Sequence, residues 1–149
     1  MKLFTIGFTK KSAESFFGTL RGSGAKRVVD VRLNNSSQLA GFTAGFTKKQ
    51  DLAYFLARVC GIGYVHVPLL APTQQMFDTY KKQHGSWEAY EKQFLELMSE
   101  RRIEEKVSRD LAADGCLLCS EETPQHCHRR LVAEYLQRHW GDVNIVHLV

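Results

Sequence analysis

A chain of 149 residues, 44% apolar and 24% charged, has material for one core of ordinary size and too little for two, and its composition is neither disordered nor fibrous. Its formal charge of +4 is interspersed with acidic residues rather than gathered in a tail, so it leans only slightly toward anionic partners. No run of about 18 apolar residues occurs and the opening MKLFTIGF is short for a signal-peptide core, which points to a cytoplasmic protein without a membrane span, whose four cysteines (Cys60, Cys116, Cys119, Cys127) read as reduced thiols.

Residues 3 to 6, LFTI, form a short apolar run closed by Gly7 and read as the first strand. Ala13, Phe16, Phe17 and Leu20 then repeat at i, i+3, i+4 and i+7, so one face of the next helix is apolar; Thr9 or Ser12 can cap it, and Gly22 and Gly24 can end it. RVVDVR, residues 27 to 32, is rich in β-branched residues and reads as a second strand. Asp30 and Arg32 share parity and project from one face near its end. The polar stretch LNNSSQLAGFTAGF follows, with Phe42 and Phe46 as its only large anchors; a loop of that length in a small domain is usually functional or mobile.

Thr47 and Gln50 have capping-box spacing, and Leu52, Phe55, Leu56 and Val59 carry a helical stripe, which predicts a helix from about Lys48 to Cys60 with Gly61 ending it. YVHVP, residues 64 to 68, is the third strand, stopped by Pro68. A loop and a short helix come next. From Ser86 a longer helix carries Trp87, Tyr90, Phe94, Leu97 and Met98 on one stripe, continued less cleanly by Ile103, Val107 and Leu111 until Asp114-Gly115 breaks it. CLLC is the fourth strand, residues 124 to 139 the last helix, and VNIVHL the fifth strand.

Strands alternating with helices imply right-handed crossovers and a mainly parallel sheet covered on both faces. The expected architecture is a single three-layer α/β/α domain of about five strands, of the Rossmann-like or flavodoxin-like kind. In such sheets ligands sit outside the carboxyl ends of the strands. Asp30 with Arg32, His66, and Cys119 with Glu121 all fall at predicted strand ends, so they are expected to converge on one rim. Thr123-Pro124 looks like a helix start, with Thr123 as N-cap and Pro124 in the first helical position, which aims free amides and a positive dipole at Cys119. Advancing about 100° per residue, the last helix turns His128 toward the sheet, carries Arg129 toward the rim, with Cys127 on the opposite flank, and leaves Arg130 a solvated charge.

Each candidate has a plainer reading beside the chemical one. Cys119 is a functional thiol or a small buried hydrophobe; Glu121 is an acid or base, or a carboxylate that merely accepts helix amides. His128 is a buried histidine hydrogen-bonded to the chain or a catalytic base, and Asp30 with Arg32 is an anion-binding pair or a structural ion pair. Cys119, His126, Cys127 and His128 are all potential zinc ligands, yet their Cys-x7-Cys-His spacing lacks the paired CxxC or HxxxH geometry of structural sites. A Cys119 to Cys127 redox pair likewise departs from the CxxC arrangement.

Thr5-Ile6-Gly7, Asp30-Val31-Arg32, Tyr64-Val65-His66 and the closing Cys119-Ser120-Glu121 to Cys127-His128-Arg129 together resemble the domain of unknown function 488 family over nearly the whole chain. The resemblance implies a Rossmann-like α/β fold and a shared site, and no particular reaction. This chain departs from the family at Asn34-Asn35-Ser36-Ser37, where a proline-containing stretch is usual, and at Leu69 to Thr73, where a Leu-Gly-Gly-like turn is usual, so its substrate choice is expected to differ.

Three functional expectations follow. The first is an enzyme acting on an anionic small molecule or a nucleotide or nucleic-acid derivative, with Cys119 and Glu121 catalytic and Asp30, Arg32, His66, Cys127, His128 and Arg129 around the substrate. The second is a non-catalytic nucleic-acid-binding or regulatory module with Lys10, Lys11, Arg27, Lys48 and Lys49 on one face. The third is a metal or thiol-redox site at Cys119, Cys127 and His128. No cofactor is assigned, and the oligomeric state is left open.

Overall fold

The computed structural model describes residues 1–34, 49–121 and 123–149, Lys49 and Gln50 by their backbone. Phe42, Phe46 and Thr47, and with them the expected capping box, lie outside the described residues.

Five strands form one parallel sheet: β1 (Lys2–Gly7), β2 (Arg27–Asp30), β3 (Gly63–His66), β4 (Gly115–Cys119) and β5 (Asn144–His147), in the order β3-β2-β4-β1-β5. The α/β class is the expected one, but the order is neither the 3-2-1-4-5 of a Rossmann sheet nor the 2-1-3-4-5 of a flavodoxin sheet. Here β4 is the central strand, hydrogen-bonded to β1 on one side and β2 on the other.

Among the described residues seven α-helices surround the sheet: α1 (Ala13–Ser23), α2 (Lys49–Phe55), α3 (Gln74–Lys81), α4 (Trp87–Arg101), α5 (Ile103–Lys106), α6 (Arg109–Ala112) and α7 (His128–Trp140). Ser12 caps α1 by accepting from the Ser15 amide at 3.1 Å, and Gly24 ends it at φ 86°. After α2 the backbone widens into a π-turn over Leu56–Cys60, and Gly61 ends it at φ 68°. The stripe expected to run from Trp87 to Leu111 is broken into three helices. Arg102 takes the left-handed conformation at φ 53° between α4 and α5, and Ser108 starts α6 by accepting from the Leu111 amide.

Strand alternation sorts the core into two layers. Phe4, Ile6, Phe8, Val28, Cys116 and Leu118 pack with Phe16, Phe17 and Leu20 of α1 and Leu52 and Leu56 of α2 and its π-turn. Leu3, Val29, Val31, Leu117 and Cys119 pack on the other side with Phe94 and Met98 of α4 and Leu131, Val132, Tyr135 and Leu136 of α7. Loops after β1 and β2 thus lead to one face and loops after β3 and β4 to the other. They part around the carboxyl end of β4, and a crevice opens where strand-end loops diverge in this way.

Candidate functional site

Gly7 and Cys119 are register partners at the ends of β1 and β4. A Cβ on Gly7 would lie 1.5 Å from the Glu121 carbonyl oxygen and 2.7 Å from Nη1 of Arg129. The missing side chain is therefore what lets the chain after β4 fold back over β1. Thr9 fastens that return, its amide and its hydroxyl both donating to the Ser120 carbonyl.

The helix after this turn begins later than Thr123-Pro124 suggested. Residues 123 to 127 form turns, the Cys127 amide donates to the Pro124 carbonyl at 3.3 Å, and α7 starts at His128 with Cys127 as its N-cap residue. The turn carries Cys127 back to β4, where its Sγ is paired with that of Cys119 as a disulfide, the Cα atoms 7.4 Å apart. Both cysteines are buried. Cys127 thus stands at the start of α7, its carbonyl accepting from the Arg130 amide at 3.1 Å and its side chain making no cap hydrogen bond.

Cys119 has a different cation. Arg129, wholly buried, donates from Nη1 to the Cys119 sulfur at 3.4 Å and to the Glu121 carbonyl at 2.8 Å, while its Nε reaches Thr5 Oγ1 at 3.4 Å. Its Nη2 is buried without a hydrogen-bond partner among the described residues. Burial lowers the Arg129 pKa to about 10, against the opposing pull of Cys116 and Glu121. A guanidinium touching sulfur at that distance stabilises a thiolate over a thiol.

His128 turns inward, as its phase on α7 predicts. Its Nε2 lies 2.7 Å from the Val31 carbonyl, an acceptor only, so Nε2 carries the hydrogen and Nδ1 the lone pair. Burial holds its pKa down to about 4 against the Val31 bond, so the ring is neutral. The ligand atoms of Cys119, Cys127 and His128 all lie within 4.8 Å of one another. His126, by contrast, is exposed and stacks on Trp87, outside this group.

The remaining expected residues do not join the sulfurs on one wall. Asp30 pairs in register with Leu118, so its side chain and that of Arg32 lie on the α1 and α2 face, opposite Cys119. Both are buried and bound to each other: Asp30 accepts from Arg32 Nε at 2.9 Å and Nη2 at 2.8 Å, from the Arg32 amide at 3.1 Å and from the Tyr64 hydroxyl at 2.6 Å. The structural ion pair is thus the geometry found, with the Phe8 ring beneath the guanidinium. His66 is likewise engaged, its Nε2 at 2.9 Å from the Arg32 carbonyl. Glu121 offers Arg129 only its backbone; its carboxylate pairs with Lys81. Arg130, expected to be solvated, is held by Glu91 at 2.6 Å and Glu134 at 3.6 Å and lies over the Trp87 ring.

Two cavities meet at this rim. A small one of about 30 Å³ touches Cys119, Cys127, His128 and Glu121 under the rings of Tyr80, Trp87 and Tyr90. A larger one of about 290 Å³ is lined by Phe8, Arg32, Asn34, Phe77, Ser120 and His128. Phe77, Ser120 and His128 wall both, so the larger cleft joins the Arg32 side of the sheet to the sulfur side.

The basic face expected of a nucleic-acid module divides. Arg27 opens β2 at the end of the sheet opposite Lys10 and Lys11, and its guanidinium donates to the carbonyls of Asp110, Leu111 and Ala113; Lys48 and the Lys49 side chain lie outside the described residues. Among the described residues no helix is long and apolar enough to cross a membrane. Gly7, Thr5, Tyr64 and Lys81 also stand against the expected residues, Lys81 outside every motif read from the sequence. A glycine closing an apolar run was the visible signal for the first, and parity with His66 the signal for Tyr64.

A parallel α/β protein with a cysteine pair at the end of its central strand is the class that fold and site define. The chain belongs to the family described as Domain of unknown function DUF488, whose model matches residues 12–136. That span includes the Asp30, His66, Cys119 and Cys127-His128-Arg129 motifs and leaves Thr5-Ile6-Gly7 outside. No curated protein and no solved structure matches the chain.

Proposed function

We propose that the protein is a cytoplasmic enzyme of thiol chemistry, acting on a small anionic molecule at the carboxyl end of β4. The observation that carries this reading is the meeting of the Cys119 and Cys127 sulfurs with the Arg129 guanidinium 3.4 Å from Cys119. Cys119 is the attacking thiolate, since it has the guanidinium, and Cys127 at the helix start is its resolving partner.

In the forward sense the Cys119 thiolate attacks a disulfide-type sulfur of the substrate, forming a mixed disulfide and releasing one thiolate. Cys127 then attacks the Cys119 sulfur and releases the second. Two electrons pass from the protein dithiol to the substrate disulfide, and the protein is left with the Cys119–Cys127 bond. Glu121, at the mouth beside Lys81, is placed to exchange protons with the leaving thiols. The substrate body belongs in the 290 Å³ cleft, at the lower end of the volumes that hold small molecules, about 300 Å³ and upward. Arg32, paired with Asp30, lies on its wall and is the cation nearest an anionic group placed there.

The test is equilibration of the protein in glutathione buffers of graded potential, followed by alkylation and mass spectrometry. One disulfide, between Cys119 and Cys127, is expected, with Cys60 and Cys116 remaining thiols; C127S is expected to trap a mixed disulfide on Cys119, and C119S none. If oxidised glutathione leaves both cysteines as thiols, the reading fails.

A further inference from the structure

We propose that in the reduced protein Cys119, Cys127 and His128 form an open Cys₂His site for a thiophilic divalent metal ion such as zinc. This rests on the thiol-centre reading for its location, and adds a ligand to it.

The backbone spacing is the first argument. The Cα atoms of Cys119 and Cys127 stand 7.4 Å apart, whereas disulfides usually span about 4.4–6.8 Å. Two cysteines that face each other at a wider spacing suit a third atom between their sulfurs. A zinc ion at about 2.3 Å from each sulfur is such an atom.

The histidine is the second argument. Metal-bound histidines characteristically donate their other ring N–H to a carbonyl or carboxylate, which fixes the tautomer and aims the lone pair. His128 has this arrangement already: Nε2 donates to Val31 at 2.7 Å, and Nδ1 is the nitrogen left to coordinate. The Val31 carbonyl comes from the strand next to β4, so the sheet itself sets the ring.

The third argument is space. The cavity against these three residues measures about 30 Å³, room for an ion with its water. Three protein ligands with the fourth position facing such a cavity is the arrangement of catalytic zinc sites, whereas structural sites close the fourth position with protein.

Metal binding and disulfide formation then exclude each other. When a disulfide substrate takes two electrons from the two bound thiolates, the products are the Cys119–Cys127 disulfide, two substrate thiolates and the free divalent ion. Charge and atoms balance without a proton. Oxidation of the pair is thereby coupled to release of the ion.

The test is titration of the reduced, chelator-stripped full-length protein with cobalt(II) chloride. One equivalent should bind with a thiolate-to-cobalt charge-transfer band and the intense visible bands of a tetrahedral site, be displaced by zinc, and be lost on oxidation with a disulfide. C119S, C127S and H128A should each bind at least about 100-fold more weakly, since even partners outside the ligand set commonly contribute 10- to 100-fold. H126A should bind like the parent. Circular dichroism checks that each variant is folded, and a C60S/C116S variant should keep the full signal. Absence of thiolate-to-cobalt absorption in the folded parent, or H128A binding at parental affinity, overturns the site. The thiol reading is separate: a pair that oxidises reversibly without binding cobalt sinks only the metal, and cobalt binding by a pair that glutathione cannot oxidise sinks only the redox reaction.

Discussion

Replacing Gly7 by alanine tests how the fold builds the site. The added Cβ would sit 1.5 Å from the Glu121 carbonyl oxygen, where ordinary contact begins at 3.4 Å, so the chain after β4 must retreat by about 2 Å. The obstacle is backbone, not the free end of a side chain. Overpacking a tight interior costs about 1–3 kcal/mol. The retreat also stretches the 2.8 Å bond from Arg129 to that carbonyl, and a hydrogen bond to a charged group contributes about 1.5–3 kcal/mol. The two effects together predict a loss of about 2.5–6 kcal/mol in denaturant unfolding. They also predict slower alkylation of Cys119 in a C127S background, because the guanidinium moves with the carbonyl. A Gly7→Ala protein within about 0.5 kcal/mol of the parent, the scale of an inconsequential surface change, with unchanged Cys119 reactivity, would refute the close approach as the device that sets Arg129.

Other consequences can be measured independently. Asp30→Asn leaves the Arg32 guanidinium buried without its counter-charge and should cost about 3–5 kcal/mol in equilibrium unfolding; a loss below about 1 kcal/mol would show that the pair is solvated, since that is the worth of an exposed pair. His147 accepts or donates at 2.6 Å to Thr5, and burial, then Arg129, lowers its pKa below the ordinary histidine value. Its folded form therefore binds fewer protons than the unfolded chain, so its contribution to stability falls as pH drops below about 6.5. NMR titration should place its midpoint below that value, and a midpoint above it would contradict the assignment. Burial pushes the Cys116 thiol up, so it should resist alkylation in the folded reduced protein and react on unfolding; labelling at the rate of an unfolded thiol would show that β4 is more open than described.

Much of the fold was legible because it is written in local pattern. The five strands, the apolar faces of α1 and α7 and the end of the second helical segment at Gly61 follow from periodicity and turn chemistry. The order β3-β2-β4-β1-β5 has no such local code, and the site depended on it. Parity alone places Asp30 with Arg32, and Leu117 with Cys119. Only the pairing of Asp30 with Leu118 shows that the two sets face opposite ways. Thr123-Pro124 has the chemistry of a helix start, yet the amide-to-carbonyl bond from Cys127 to Pro124 closes a turn there, and that turn is what brings the sulfurs together. The break at Arg102 had no glycine or proline to announce it. The approach of three ligand atoms within 4.8 Å is long-range geometry that the Cys-x7-Cys-His spacing could permit but not specify.

The disposition of Cys119 and Cys127 also has a mechanical side. One sulfur is rooted in the central strand and the other at the first turn of α7, the helix that covers β1, β4 and β5. Whatever joins the sulfurs is a rivet between the sheet and its last helix, closed across a loop so short that little chain entropy opposes it. Drawing the rivet leaves α7 attached by side-chain packing and by polar contacts such as those of His128 to Val31, Arg129 to Glu121 and Arg130 to Glu91. Hydrogen exchange along residues 128 to 140 would then report on two atoms that no amide in that helix touches.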